Sequence, residues 1–269
     1  MSGRRPHVVL RQVVRRFDTA PPIHALGPVD LELAGGEFFS IVGPSGCGKS
    51  TLLDVVSGLS RPTSGSVTFE GRELAGEVPE GIGVVFQEDS SLAWLTVRQN
   101  VAFGLRLSGL PRREIDERVD HAVGFMGLKA FADCYPAQLS GGMRQRVCIA
   151  RTLVLKPRLI LLDEPFGALD QQTRLLMGDE LLRLWRETGA TVLLITHALD
   201  EAAMLADAVG VMSARPGIFI DIVQTGWPRD RDSRIVSDPQ FGAITARLWD
   251  NLRAESLKSM GMAGLPKPA

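Results

Sequence analysis

An α/β fold with a largely parallel sheet is what this chain predicts, and three observations carry the prediction. A strand-type run enters a glycine-rich turn that opens directly into a helical pattern. Strand-length apolar runs alternate with helical periodicities along much of the chain. One late apolar run, Leu159-Ile160-Leu161-Leu162, ends in the adjacent carboxylates Asp163 and Glu164.

Taken in order, Val29, Leu31 and Leu33 alternate with polar residues and predict an edge strand, closed by the Gly35-Gly36 turn. Glu37 to Val42 is a short apolar run of strand type. It leads into Gly43-Pro44-Ser45-Gly46-Cys47-Gly48-Lys49-Ser50-Thr51, a complete G-x-x-x-x-G-K-S pattern, and Thr51 to Ser57 then reads as the start of a helix. Strand, loop and helix in that order form the context in which this pattern holds phosphate. Its glycines let the backbone curl so that N–H groups point inward at phosphate oxygens. The helix N-terminus adds partial positive charge. Lys49 can reach the β- and γ-phosphates, and the Ser50 hydroxyl can ligate an accompanying magnesium ion. A glycine-rich turn with a stray lysine would leave both flanks unexplained. The predicted ligand is a nucleoside triphosphate.

Ser66 to Phe69 and Gly83 to Phe86 read as further short strands. From about residue 88 to 156 the pattern turns helical, with helices predicted over Thr96 to Leu107 and Arg112 to Met126. Ile115, Val119, Ala122 and Met126 recur at helical spacing, and Glu114 with Arg118 can form an i,i+4 pair. Strand patterns return at Leu159 to Leu162 and Thr191 to Ile195, and a last helix is predicted near Gly242 to Leu257.

The strand ending in Asp163 and Glu164 delivers acids at its carboxyl edge, where open α/β sheets bind ligands. Asp163 is the natural magnesium ligand. Glu164 would leave the strand and can polarise an attacking water.

Composition excludes other classes. With 30 Lys plus Arg against 31 Asp plus Glu, the chain has no basic field for gripping nucleic acid. Cys47, Cys134 and Cys148 are scattered without metal-ligand spacing, which fits a reduced cytosolic compartment. No apolar stretch approaches the ~20 residues that span a bilayer. No apolar segment follows Arg4 and Arg5, so no secretory signal is expected.

Between the two nucleotide motifs stands Leu139-Ser140-Gly141-Gly142-Met143-Arg144-Gln145-Arg146. Read locally, Ser140 caps a helix N-terminus, and Ser140 with the Gly141 and Gly142 N–H groups can contact a phosphate from outside. The octet resembles the signature motif of ATP-binding-cassette (ABC) ATPases. That resemblance implies a RecA-like P-loop NTPase core, a small antiparallel β-subdomain and an inserted α-helical subdomain. It covers about residues 8–225: the core over 8–87 and 157–225, the helical subdomain over 88–156. Residues 226–269 form a C-terminal extension.

The resemblance also implies roles. Gln87 matches the glutamine that senses the γ-phosphate and magnesium, His197 the switch histidine, and Asp170 the aspartate loop that crosses a dimer interface. Phe17 matches the aromatic that stacks on adenine, with a core side chain as the even alternative. Two cassettes would pack head to tail, each signature closing on ATP held by the other's phosphate loop. ATP and Mg2+ are the implied cofactors.

Met143 departs from the commoner glutamine, yet this form is usual in the branch of nitrate, sulfonate and taurine importers. Trp94 to Val101, Ser213 to Gly217 and Trp227 to Arg231 resemble that branch as well, while Ala93 stands where a proline is usual. The implied partners are a second copy of the chain, membrane-spanning permease subunits and, indirectly, an extracytoplasmic solute-binding protein. The implied place is the cytoplasmic face of the inner membrane, peripherally bound. Leu92, Trp94 and Leu95 would form the groove for a permease helix, or pack under the helical insertion. The alternatives are a soluble cassette ATPase of DNA repair, chromosomes or ribosomes, and a regulatory module that has lost hydrolysis. A single cassette without long insertions argues against the first, and Glu164 with His197 against the second.

Overall fold

The computed structural model describes residues 6–167 and 169–259. Strands β1 (Pro6–Phe17) and β2 (Ile23–Ala34) open it as an antiparallel pair. β3 (Phe38–Val42) then enters α1 (Lys49–Ser57). Next come β4 (Ser64–Phe69), β5 (Arg72–Glu73) and β6 (Ile82–Val85). The helices α2 (Val97–Ala102), α3 (Arg112–Phe125) and α4 (Gly141–Leu153) follow together. Alternation resumes with β7 (Leu159–Asp163), α5 (Gln171–Thr188), β8 (Thr191–Ile195), α6 (Leu199–Leu205) and β9 (Ala208–Met212). β10 (Phe219–Gln224) and α7 (Pro239–Ser259) end the described chain.

Two sheets result. The smaller is antiparallel, in the order β2-β1-β4-β5, so the predicted edge strand is an edge. The larger runs β10-β9-β3-β8-β7-β6 and is parallel except for β10. β3, β7, β8 and β9 are buried at every position, because both faces of this sheet are covered. Side chains alternate between two cores. Phe39, Ile41, Leu161 and Leu193 pack with α1 and the antiparallel sheet. Phe38, Val42, Ile160 and Leu194 pack with the helices on the other side.

The helix predicted over Thr96 to Leu107 divides. α2 stops at Ala102, and a separate 3-10 turn spans Leu105–Leu107. Phe103, Leu107 and Ser108 bond back three residues instead of four, where Gly104 lies close against Leu155. A glycine is a weak helix propagator and admits that approach. Glu114 and Arg118 do pair on α3.

Four strands escaped prediction, among them the two-residue β5. In β1 the alternation is broken by register shifts near Gln12 and Val13, and β9 is five residues of mostly small side chains. β10 has exposed isoleucines, Ile220 and Ile222, where an inside face would be expected.

The chain after β10 is bolted to the core. Trp227 Nε1 donates to the Ala203 carbonyl at 2.7 Å. Arg231, buried, donates to Asp207 at 2.8 Å. The Arg229 and Arg231 guanidinium groups lie 4.2 and 4.8 Å from the Trp185 ring, cation–π contacts of which only that of buried Arg231 is desolvated. Leu248 of α7 is fully buried.

Candidate functional site

The phosphate-loop pattern sits at the carboxyl end of β3, between β8 and β9 in the sheet. Gly48 has φ +115, and a Cβ there would lie 2.7 Å from the Ala25 carbonyl of β2. Only glycine lets the loop pass that close to the neighbouring sheet. Gly48 also precedes α1 without any side-chain cap, which leaves the first N–H groups of the helix free for an anion. Lys49 is 8% exposed, and its ammonium donates to the carbonyls of Gly43 at 2.8 Å and Pro44 at 3.0 Å. The loop therefore curls over its own lysine. Burial pushes the Cys47 thiol above its ordinary pKa, with Lys49 opposing. Ser45, Gly46 and Ser50 are exposed, and Thr51 is half-buried.

From β7, two positions away in the sheet, come the carboxylates. Asp163 is nearly buried and shares a hydrogen bond with Ser50. Burial pushes its carboxyl above the ordinary range; the Glu164 charge adds to this, while the Ser50 contact and Lys49 oppose it. A buried acid beside a serine hydroxyl is a hard-oxygen donor pair that a small divalent cation would complete.

Glu164 turns out of the strand at φ +47, tied by its N–H to the Ile195 carbonyl at 2.8 Å. Its Oε2 accepts from Gln87 Nε2 at 2.9 Å and lies 3.2 Å from His197 Nδ1. Gln87, just beyond β6, and His197, just beyond β8, thus meet the acid at the end of β7.

Below this cluster, Glu201 of α6 is buried. Its Oε2 contacts the Thr196 hydroxyl at 3.2 Å, and its Oε1 has no partner. Burial pushes its pKa to about 7, with Thr196 and Arg174 opposing and Glu164 adding to the rise.

The remaining predicted residues lie apart. Ser140 caps α4 through its hydroxyl, which accepts from the Met143 N–H at 3.3 Å. Ser140 and Gly141 are exposed, and among the described residues no hydrogen bond joins 140–142 to 43–51. Gly142 lies so close to Leu169 that a Cβ would sit 2.5 Å from its methyl carbon. Asp170 caps α5, using both oxygens on Thr173 at 3.0 and 2.6 Å. Signature and aspartate loop are therefore neighbours within one chain. Phe17 is 36% exposed and belongs to neither core, with the Arg15 guanidinium 4.7 Å over its ring. It pairs with Ile23, close to where β2 meets Gly48. Trp94 is 72% exposed, while Leu92 and Leu95 are half-buried.

Two contributors went unnoticed in the sequence. Arg215 donates to the Gly46 carbonyl from 169 positions away, and Glu201 underlies Thr196. Only the placement of Arg215 inside Ser213 to Gly217 hinted at it. A cavity of about 830 Å3, walled by Phe125, Met126, Leu153 and Leu184, contains none of the predicted site residues. A phosphate site needs exposed backbone N–H groups more than an apolar hollow.

Comparison with known proteins agrees with this geometry. A family model described as ABC transporter matches residues 26–167. The chain is 47% identical to the taurine import ATP-binding protein TauB of Roseobacter denitrificans over 238 residues, 85% of this chain and 88% of that protein. It is 43% identical over 228 residues to the nitrate import ATP-binding protein NrtC of Synechocystis sp., covering 83% of this chain and 34% of that longer protein. A solved dimeric post-hydrolysis structure of the ATP-binding cassette MJ0796, bound to ADP and Pi, superposes with a TM-score of 0.75 at 31% identity. That likeness covers 82% of this chain and all of the other.

Proposed function

This chain belongs to the ABC transporter family and is an ATPase; on that premise we propose that it energises an importer of a small anionic solute such as taurine, an aliphatic sulfonate or nitrate. The observation that carries the hydrolytic half is the convergence of Gln87 and His197 on one oxygen of Glu164. The solute class rests on the names of the taurine and nitrate relatives.

The chain's own residues supply a complete set of roles. The loop 43–48 and the α1 N-terminus offer inward N–H groups to the phosphates. Lys49, shedding its bonds to Gly43 and Pro44, gives its charge to the β- and γ-phosphates. Ser50, Asp163 and Gln87 would hold magnesium, whose chemistry is to neutralise charge on the phosphate oxygens. Glu164 orients and polarises the attacking water. His197 and Gln87 fix the Glu164 carboxylate and sense the γ-phosphate. Phe17 offers its open face to the adenine.

Ser140 and Gly141 are exposed, and among the described residues 140–142 make no hydrogen bond to the chain's own phosphate loop. This supports a head-to-tail pair of cassettes, in which each signature and Asp170 complete the other's site. ATP then holds the pair closed and ADP does not, a difference in affinity that can drive a conformational cycle. The division into a core over 8–87 and 157–225 and a helical subdomain over 88–156 is supported by the clustering of α2, α3 and α4. Residues 226–269 are read as an extension. No helix among the described residues is long and apolar enough to cross a membrane. Membrane contact then comes through permease subunits, with Trp94 at the docking groove, on the cytoplasmic face.

The test is solute-stimulated ATPase activity of the reconstituted complex across taurine, sulfonates and nitrate. Stimulation by one of these anions supports the reading; stimulation by a cationic or apolar solute alone would replace the solute class.

A further inference from the structure

Arg215 holds the phosphate loop from outside. Its Nε and Nη2 both donate to the Gly46 carbonyl, at 3.1 and 2.8 Å. Gly46 has φ +71 and is exposed, so nothing in its own side chain restrains the following peptide unit. In a trans peptide the carbonyl and the next N–H point opposite ways. Gripping the Gly46 carbonyl therefore restrains, together with the 3.3 Å bond from the Cys47 N–H to the Pro44 carbonyl, the peptide unit inside the stretch that would face phosphate. Two charge-assisted bonds from a planar fork to one oxygen make a stiff restraint. Among the described residues no carboxylate pairs with Arg215, and this carbonyl is its hydrogen-bonding partner.

The turn that carries Arg215 is anchored on two sides. Towards the loop, Gly217 exchanges backbone bonds with Ala25 and Gly27, both at 3.0 Å, and passes so near Cys47 that a Cβ would lie 2.3 Å from its carbonyl. Away from it, the Ala214 N–H donates to Glu255 Oε2 of α7 at 2.8 Å. Glu255 is 5% exposed and is further held by Lys258. α7 itself is fixed by buried Leu248 and by Arg247, whose guanidinium makes two bonds to Asp221 at 2.9 and 2.8 Å. The buried Glu255 carboxylate is held on one oxygen by the Ala214 N–H and on the other by the Lys258 ammonium, which ties the turn carrying Arg215 to α7.

We propose that Arg215 is a positioning residue for the phosphate loop and that α7 sets its place through Glu255, so that the C-terminal helix tunes affinity for the triphosphate. The inference rests on the reading that residues 43–51 hold ATP. Arg215→Ala is therefore expected to raise the Kd and KM for ATP roughly 3- to 10-fold. The kcat should fall less, because Lys49 and Glu164 stay in place.

Arg215→Lys, retaining one donor, restores part of the affinity. Glu255→Ala shifts affinity in the same direction but less, and the double variant is no weaker than Arg215→Ala alone, since both act through one linkage. The measurement is calorimetric titration with ATP and steady-state ATPase kinetics on the full chain, with thermal unfolding followed in parallel. Lys49→Ala serves as the reference. Unchanged ATP affinity in Arg215→Ala, while Lys49→Ala loses binding, overturns the proposal. Normal ATP binding by Lys49→Ala overturns the site reading instead. Fully additive effects of Arg215→Ala and Glu255→Ala overturn the part played by α7. If Arg215→Ala fails to fold, the same comparison is made with Arg215→Lys against wild type, where equal affinity again overturns it.

Discussion

His197 Nδ1 lies 3.2 Å from Glu164 Oε2, the same oxygen that accepts a 2.9 Å hydrogen bond from Gln87. The acid at the end of β7 is thus clamped between groups presented by the strands on either side of it. Glu164 adopts φ +47, a costly backbone conformation for a non-glycine residue. That conformation turns its carboxylate out of the strand to meet Gln87 and His197.

Glu164→Gln keeps the shape of this clamp but removes the base. We expect ATP binding to remain, turnover to fall by about 10²-fold or more, and an ATP-dependent dimer to accumulate. Turnover at the wild-type rate in that variant would sink the role given to Glu164.

Lys49→Ala removes the buried ammonium and its bonds to Gly43 and Pro44. ATP affinity should drop by about tenfold or more, in line with a charged contact of at least ~1.4 kcal/mol, and transport should stop. Calorimetry that returned an unaltered ATP affinity would remove the phosphate-loop assignment.

Ser45 and Ser140 are both exposed, and among the described residues no hydrogen bond joins 140–142 to 43–51. A Ser45→Cys, Ser140→Cys double variant, combined with Glu164→Gln, should form a disulfide-linked dimer on oxidation with ATP and not with ADP. Either single variant should stay monomeric on a non-reducing gel. A double variant that crosslinks equally well without nucleotide, or not at all, contradicts the composite site.

Glu201 has a native pKa of about 7 against an ordinary value of 4.5. Below pH 4.5 both folded and unfolded forms are protonated and burial carries no ionisation penalty. As pH rises towards 7 the unfolded chain releases the proton first, so this group's contribution to stability is progressively lost, by roughly 3 kcal/mol at most. Glu201→Gln mimics the protonated side chain. Between about pH 5 and pH 8 its melting temperature should fall less steeply than that of the wild type. Parallel melting curves for the two proteins would show that folding does not raise the Glu201 pKa.

Local pattern made much of this site legible. The phosphate-loop pattern, the acids closing β7 and the serine cap of α4 each depend on a few consecutive residues, and each was readable in order, whereas α5 and its Asp170 cap were not predicted. The helix predicted through Leu107 was not, because its division depends on Leu155 packing against Gly104. β9 was missed because five small residues carry little periodicity; its place beside β3 comes from the sheet.

By itself the sequence determined a glycine-rich turn between a strand and a helix, two acids closing a strand and a serine opening a helix, since those properties lie in contiguous backbone geometry. Tertiary structure alone decided that Gln87 meets Glu164 across 77 positions, and that Arg215 reaches Gly46 across 169. It also left one oxygen of Glu201 without a partner beneath the site. Such contacts depend on strand order, on register and on which face is covered, and a hydrogen bond between distant residues leaves no periodic trace in either of them.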